Sequence, residues 1–161
     1  MTDKKIFKDF SEFQEQLKEI KDGNSKVVFT NGCFDLIHLG HLDYLKETSK
    51  YGEVLVVGLN SDSSVTRLKG DKRPLFNFKR RAKFLSYLDF VDFIVGFSED
   101  TPYSLIERIR PDTLVKGGDY EFKEIVGHKI LNSYGGQVLT IPFKYEESTS
   151  DIIEKIRKRY K

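Results

Sequence analysis

The sequence predicts one α/β domain folded around a parallel, doubly wound sheet of five strands. Three observations lead there. Five short apolar, β-branched runs recur along the chain, helical patterns separate each from the next, and 161 residues suit one domain of ordinary size. Crossovers in such a sheet are right-handed almost without exception.

Phe7, Phe10, Phe13, Leu17 and Ile20 recur at spacings of three or four, Ser11 and Gln14 have capping-box spacing, and Gly23 can close the last turn. An amphipathic helix within residues 1–24 therefore precedes a core of residues 25–161, the whole forming a single domain. The run KVVFT at 26–30 is the first strand, of the kind buried in parallel sheets, and it stops at Asn31-Gly32. A helix at 41–50 ends near Gly52 and leads to the second strand at 53–58. A short helix at 62–68, a loop with Gly70 and Pro74, and a helix at 77–88 precede the third strand at 91–95. The fourth and fifth strands fall at 112–116 and 137–141, after helices at 102–109 and 124–132, and a last helix covers 149–159. No internal repeat, low-complexity segment or linker is present.

Composition narrows the function. With 27 Lys and Arg against 25 Asp and Glu, 39% hydrophobic and 32% charged residues, the chain reads as soluble and globular, excluding disorder, collagen and coiled coil. A net charge of +2 lacks the basic excess of a DNA-coating protein but permits a local groove for phosphorylated small molecules, so no nucleic-acid partner is expected. No apolar run approaches the roughly 18 residues that span a bilayer, and the start MTDKKIFKDF has no signal-peptide core. No membrane partner and a cytoplasmic location follow as expectations. Cys33 is the only cysteine, and a zinc site would have to draw on three scattered histidines and carboxylates, so no metal site is expected.

In a doubly wound sheet, ligands bind beyond the carboxyl ends of the strands, where strand order reverses. That rule selects residues 31–41, 60–74, 97–101, 116–120 and 143–150. Neither G-x-x-x-x-G-K-[ST] nor G-x-G-x-x-G occurs, so phosphate must be held another way. In TNGCFDLIHLGH, His38 and His41 bracket Gly40 at a helix start. Unpaired N–H groups, the helix dipole and two imidazoles there suit phosphate oxygens, and Gly40 admits a phosphate or base to the backbone. Metal ligation by the two histidines, or an ordinary helix start, are the alternatives. Lys69 and Arg73, with Arg67 and Lys72, form either flexible cations that close over phosphate or a solvated charge run. Lys116-Gly117-Gly118-Asp119 reads as backbone passing close to a ligand or as a plain turn. Ser148, Thr149 and Ser150, before a helix with Asp151 and Glu154, form by themselves a normal capping pattern.

TNGCFDLIHLGH resembles the signature of the nucleotidyltransferase superfamily, whose cytidylyltransferases and small adenylyltransferases carry H-x-G-H after the first strand. LNSDSSVTRLKGDKRP, VKGGDY and the GG…ESTSDII run resemble the bacterial D-glycero-β-D-manno-heptose 1-phosphate adenylyltransferases, found alone or as the C-terminal half of a bifunctional ADP-heptose synthase. The similarity runs from about residue 26 to the last helix. Leu39 stands where that branch has a small residue and Ser150 where it has Thr; both changes keep the chemistry, because residue 39 lends only its backbone and Ser150 keeps a hydroxyl.

The resemblance implies a Rossmann-like fold, often dimeric, and a role in ADP-heptose and lipopolysaccharide biosynthesis. ATP is the implied substrate, with Mg²⁺ carried by its triphosphate. The phosphate of a sugar 1-phosphate would attack the α-phosphorus in line and release pyrophosphate, with catalysis by positioning and charge neutralisation. His38, His41 and Lys69 are the implied catalytic residues, His41 stabilising the five-coordinate phosphorus. Cys33, Phe34, Gly40, Arg81, Gly118, Asp119, Ser148, Thr149 and Ser150 would hold the nucleotide. Asp35, Asn60, Arg73 and Lys116 would serve the substrate and its phosphate. No sugar-kinase half is present, so a separate kinase of the same pathway would supply the 1-phosphate, or the substrate is something else. Glycerol-3-phosphate cytidylyltransferase fits less well, since Lys144-Tyr145-Glu146-Glu147 replaces its R-T-x-G. Phosphopantetheine adenylyltransferase has T-x-G-H. A silent nucleotide-binding module is the alternative outside the enzymes.

Overall fold

The computed structural model describes residues 2–118, 121–145 and 148–160. Its sheet has six parallel strands in the order β1-β4-β3-β2-β5-β6. They are β1 (Ile6–Phe7), β2 (Val27–Gly32), β3 (Val54–Asn60), β4 (Phe93–Phe97), β5 (Thr113–Gly117) and β6 (Gln137–Ile141). The helices are α1 (Phe10–Asp22), α2 (Leu39–Thr48), α3 (Asp62–Lys69), α4 (Phe78–Ser86), α5 (Tyr103–Ile109), α6 (His128–Tyr134) and α7 (Thr149–Arg159).

The sixth strand corrects the expectation of five. Ile6 and Phe7 pair with Ile94 and Val95 at the sheet edge, and the Phe7 ring meets Phe13 at 5.1 Å and Phe93 at 6.0 Å. The spacing of Phe7 from Phe10 thus imitates a helical period while Phe7 serves a strand. Gly96 makes the close approach possible, since a Cβ there would lie 2.1 Å from the Lys8 carbonyl oxygen. The cap is Asp9, not Ser11: its Oδ1 accepts from the N–H of Ser11 at 2.8 Å and of Glu12 at 3.3 Å, while Glu12 Oε2 accepts from Lys8 N–H at 2.8 Å.

Alternation along the central strands sorts the core into two layers. Val27 and Phe29 join Phe13 and Leu17 of α1, Leu105 and Ile106 of α5, and Leu131 of α6. Val28 faces the other way and joins Leu45 of α2, Ala82 and Leu85 of α4, and Val115. From β2 the chain builds outward through β3 and β4, then returns to lay β5 on the other side of β2. The reversal therefore lies between the ends of β2 and β5. The helix expected at 124–132 is split, a 3₁₀ turn at Phe122–Glu124 preceding α6, because Gly127 sits at φ 96°. No helix among the described residues is long and apolar enough to cross a membrane.

Candidate functional site

A cleft of about 910 Å³ opens over the carboxyl edge of the sheet at this reversal. Its walls include Asn31, Cys33, Asp35, His38, His41, Asn60, Lys69, Arg73, Lys116 and Ser148 to Ser150. The structure thus gathers most of the sequence-selected residues, drawn from five separate loops, into one place.

His38 is the N-cap of α2 in extended conformation, without a capping hydrogen bond from its side chain. Its ring lies over that of His41, with centroids 3.9 Å apart and planes at 32°. Gly40 leaves room for this pair: a Cβ there would sit 3.1 Å from the His38 ring. The His41 ring is set edge-on to Phe34 at 5.2 Å, and Phe34 is 5% exposed, a floor beneath the imidazole. Burial, reinforced by His38, pushes the His41 pKa down to about 4, against a hydrogen bond to the Leu36 backbone. His41 is therefore neutral at pH 7, and its buried Nδ1 meets no hydrogen-bond partner among the described residues.

Asp35 serves the wall and not the cavity. Its carboxylate accepts from Leu75 N–H at 2.7 Å, Phe76 N–H at 3.0 Å and Arg73 Nε at 2.5 Å. Burial raises its pKa, but those donors outweigh burial and leave it below the usual carboxylate value. Thr66 Oγ1 donates to the Arg73 carbonyl at 2.7 Å. The 70–76 loop is thereby tied from both sides, with Arg73 and Lys69 on the cleft.

Arg81, expected at the nucleotide, is not among the residues that line the cleft. It is fully buried, and it donates to Phe76 O at 2.9 Å, to Cys33 O at 2.6 Å and to Asp62 Oδ1 at 2.7 Å. The guanidinium fork joins α3, α4 and the turn after β2, making Arg81 a positioning residue. Arg81→Leu leaves two carbonyls without a donor, a loss we expect to cost about 3 kcal/mol. The urea midpoint measures it, and a cost under about 1 kcal/mol would show that the bracket is dispensable.

Lys116 emerges from β5 at the reversal, and its Nζ donates to Asn31 Oδ1 at 2.5 Å across the two strand ends. Burial lowers its pKa to about 8. The adjacent glycines have structural causes. A Cβ on Gly117 would lie 2.3 Å from the Phe143 ring, so side chain, not ligand, fills that approach. Gly118 lies at φ 102°, where side chains are strained, and it is not part of the cleft wall. Asp119, expected at the nucleotide, lies outside the described residues.

At the far side, Ser148 caps α7 in a reciprocal capping box, its Oγ accepting from Asp151 N–H at 3.1 Å. Thr149 Oγ1 donates to Leu36 O at 3.2 Å, tying α7 to the turn before α2. Ser148, Thr149 and Ser150 all border the cleft at a helix N-terminus. Asn60, 3% exposed, donates to Ser64 Oγ at 3.0 Å, and that hydroxyl donates to Glu99 O at 2.9 Å. Cys33 is half-buried, its thiol pushed up chiefly by burial.

Sequence reasoning selected the segments that hold Asn31 and Phe143 without giving either a role, and it missed Tyr44 and residues 124–126. Tyr44 hydroxyl bridges Thr30 Oγ1 at 2.7 Å and Val115 O at 3.0 Å beneath the histidines; a tyrosine one turn into the helix after an H-x-G-H was the available signal. Among the described residues no group of three His, Cys, Asp or Glu side chains is arranged to hold a metal ion.

The sequence model of the Cytidylyltransferase-like family matches residues 29–155. The protein named Bifunctional protein HldE from Geobacter sulfurreducens is 53% identical over 140 residues, covering 87% of this chain and 29% of that protein. The chain thus spans under a third of that relative's length. The lipopolysaccharide core biosynthesis protein from Thermoplasma volcanium superposes with a TM-score of 0.61 at 31% identity, over 76% of this chain and 99% of its own. Pantothenate synthetase from Thermus thermophilus, at 14% identity, TM-score 0.61 and coverage of 96% and 70%, shares the fold alone.

Proposed function

The chain belongs to the Cytidylyltransferase-like family of nucleotidyltransferases, and from that membership we propose that it transfers AMP from ATP to a heptose 1-phosphate, giving ADP-heptose and pyrophosphate. The observation that carries the reading is the convergence, in one cleft, of His41, the desolvated Lys116 and Ser148 to Ser150 at the start of α7. Imidazole, ammonium, hydroxyl oxygens and a helix N-terminus are groups that phosphate binding uses, and here they line one cleft. Phosphoryl transfer asks for positioning and charge neutralisation, and this set supplies both.

Lys116 sits at the reversal, where it neutralises charge as the acceptor phosphate nears the α-phosphorus. His41 donates to the equatorial oxygens as five-coordination develops, and Ser148 to Ser150 with the α7 N-terminus hold the departing pyrophosphate. Lys69, the last residue of α3, and Arg73, on the held loop, screen the triphosphate. The hydroxyls, imidazoles and ammonium of this set suit phosphate oxygens, whereas Mg²⁺ prefers carboxylates and water. The ion would enter on the triphosphate of ATP, where it would supply charge neutralisation and orientation of the phosphates. A sugar kinase of the same pathway would make the acceptor.

Pyrophosphate release over a matrix of four NTPs and several phosphorylated sugars and alcohols tests this. ATP with heptose 1-phosphate is expected to lead. A clear win for CTP with glycerol 3-phosphate removes the heptose reading, and no turnover with any pair makes the silent binding module the better account.

A further inference from the structure

In-line displacement places the attacking oxygen and the departing pyrophosphate on opposite sides of the phosphorus. The cleft is lined from both core layers, with Phe34 and Tyr44 belonging to one and Ile125 to the other, and its lining divides accordingly into two lobes. His41, Tyr44 and the start of α7 belong to the side where α2 packs, and the preceding reading sends pyrophosphate there. The other lobe lies over the core layer of α1, α5 and α6. It is walled by Asp100, Thr101 and Pro102 at the entry to α5 and by Glu124, Ile125 and Val126.

That lobe brings two carboxylates to the cleft, Asp100 paired with Arg67 and the exposed Glu124. It is also built to hold its shape. Arg67 Nε donates to Asp100 Oδ1 at 2.7 Å, Arg67 Nη2 donates to Ser98 O, and the buried Asn60–Ser64 pair fixes Glu99 O. A carboxylate is an acceptor only, and hydroxyls of a sugar are donors. An alkyl chain in the same lobe would strip water from these carboxylates and return nothing.

We propose that Asp100 and Glu124 are specificity-determining residues that accept hydrogen bonds from the hydroxyls of a polyhydroxylated acceptor. The proposal rests on the transfer to a sugar 1-phosphate argued above. Asn60, expected to touch substrate, becomes a positioning residue for this wall.

Steady-state kinetics on the full chain, with ATP and with heptose or mannose 1-phosphate and deoxy counterparts, tests it. Glu124→Ala should raise the acceptor KM by about tenfold or more, the value of a hydrogen bond to a charged group, with the ATP KM within about twofold. Its preference for the hydroxylated over the deoxy acceptor should shrink toward unity, a change that general loosening would not produce. Asp100→Asn should show the same direction with a smaller amplitude, since Arg67 holds one oxygen. An active wild type whose two variants keep both the acceptor KM and the preference overturns this inference alone. A wild type inert toward every sugar 1-phosphate with every NTP overturns this inference together with the function it rests on.

Discussion

His41→Ala is expected to lower turnover by at least about a hundredfold, the scale seen when one preorganised charge-stabilising donor is removed, while nucleotide affinity changes much less. The imidazole is positioned from three directions, by Gly40's missing side chain, by the His38 ring at 3.9 Å and by Phe34 at 5.2 Å. Because its pKa is near 4 in the free protein, it enters the reaction neutral, and phosphate oxygens bound beside the imidazole would favour the protonated form. Nucleotide binding should then take up protons and tighten as the pH falls from 7 toward 5, readable by titration calorimetry in buffers of different ionisation enthalpy. The unliganded protein responds with the opposite sign. Between pH 6.5 and 4 the unfolded chain binds a proton at residue 41 that the folded one refuses, so folding stability from this group is present above 6.5 and is lost as the pH falls toward 4. A folded His41→Ala protein with near wild-type turnover, or binding that takes up no proton in wild type alone, sinks the assignment.

Much of this architecture was legible because its causes are local. The β-branched runs that became β2 to β6 carry their signal within five to seven residues, and the reversal rule then pointed to the loops that form the cleft. What was not legible depends on partners far along the chain. Gly117 looks like a ligand contact until Phe143, from beyond β6, is seen against it. Nothing local to Arg81 shows that its fork reaches Cys33, 48 residues earlier. Asp35 holds amides 40 and 41 residues away, a pairing with no sequence period. Residues 124–126 were hidden by the smooth helical pattern that Gly127 breaks at φ 96°. Phe7 shows the converse: its ring spacing fits a helix, and edge pairing with β4 overrides it.

Lys116→Met is expected to reduce kcat/KM by about a hundredfold, comparable to removal of a single buried charge stabiliser. The ammonium sits where the carboxyl ends of β2 and β5 meet, held by Asn31 and desolvated by the sheet around it. In that setting a cation interacts with phosphate through less water and is worth more than at the surface. The same burial brings its pKa to about 8, so the free enzyme begins to lose the charge just above neutrality. Wild-type kcat/KM should therefore decline above pH 8, and bound phosphates, by favouring the ammonium, should move the corresponding limb of kcat to higher pH. Lys116→Arg keeps the charge but does not titrate in this range; its activity is expected to be reduced by geometry, yet flat where the wild type falls. Stability runs against activity here. The unfolded lysine keeps its proton to about 10.5, so between pH 8 and 10.5 the folded chain sheds an expensive buried charge and becomes more stable while it becomes less active. An alkaline limb that survives unchanged in Lys116→Arg would assign the titration to another group and leave Lys116 a structural tie between two strands.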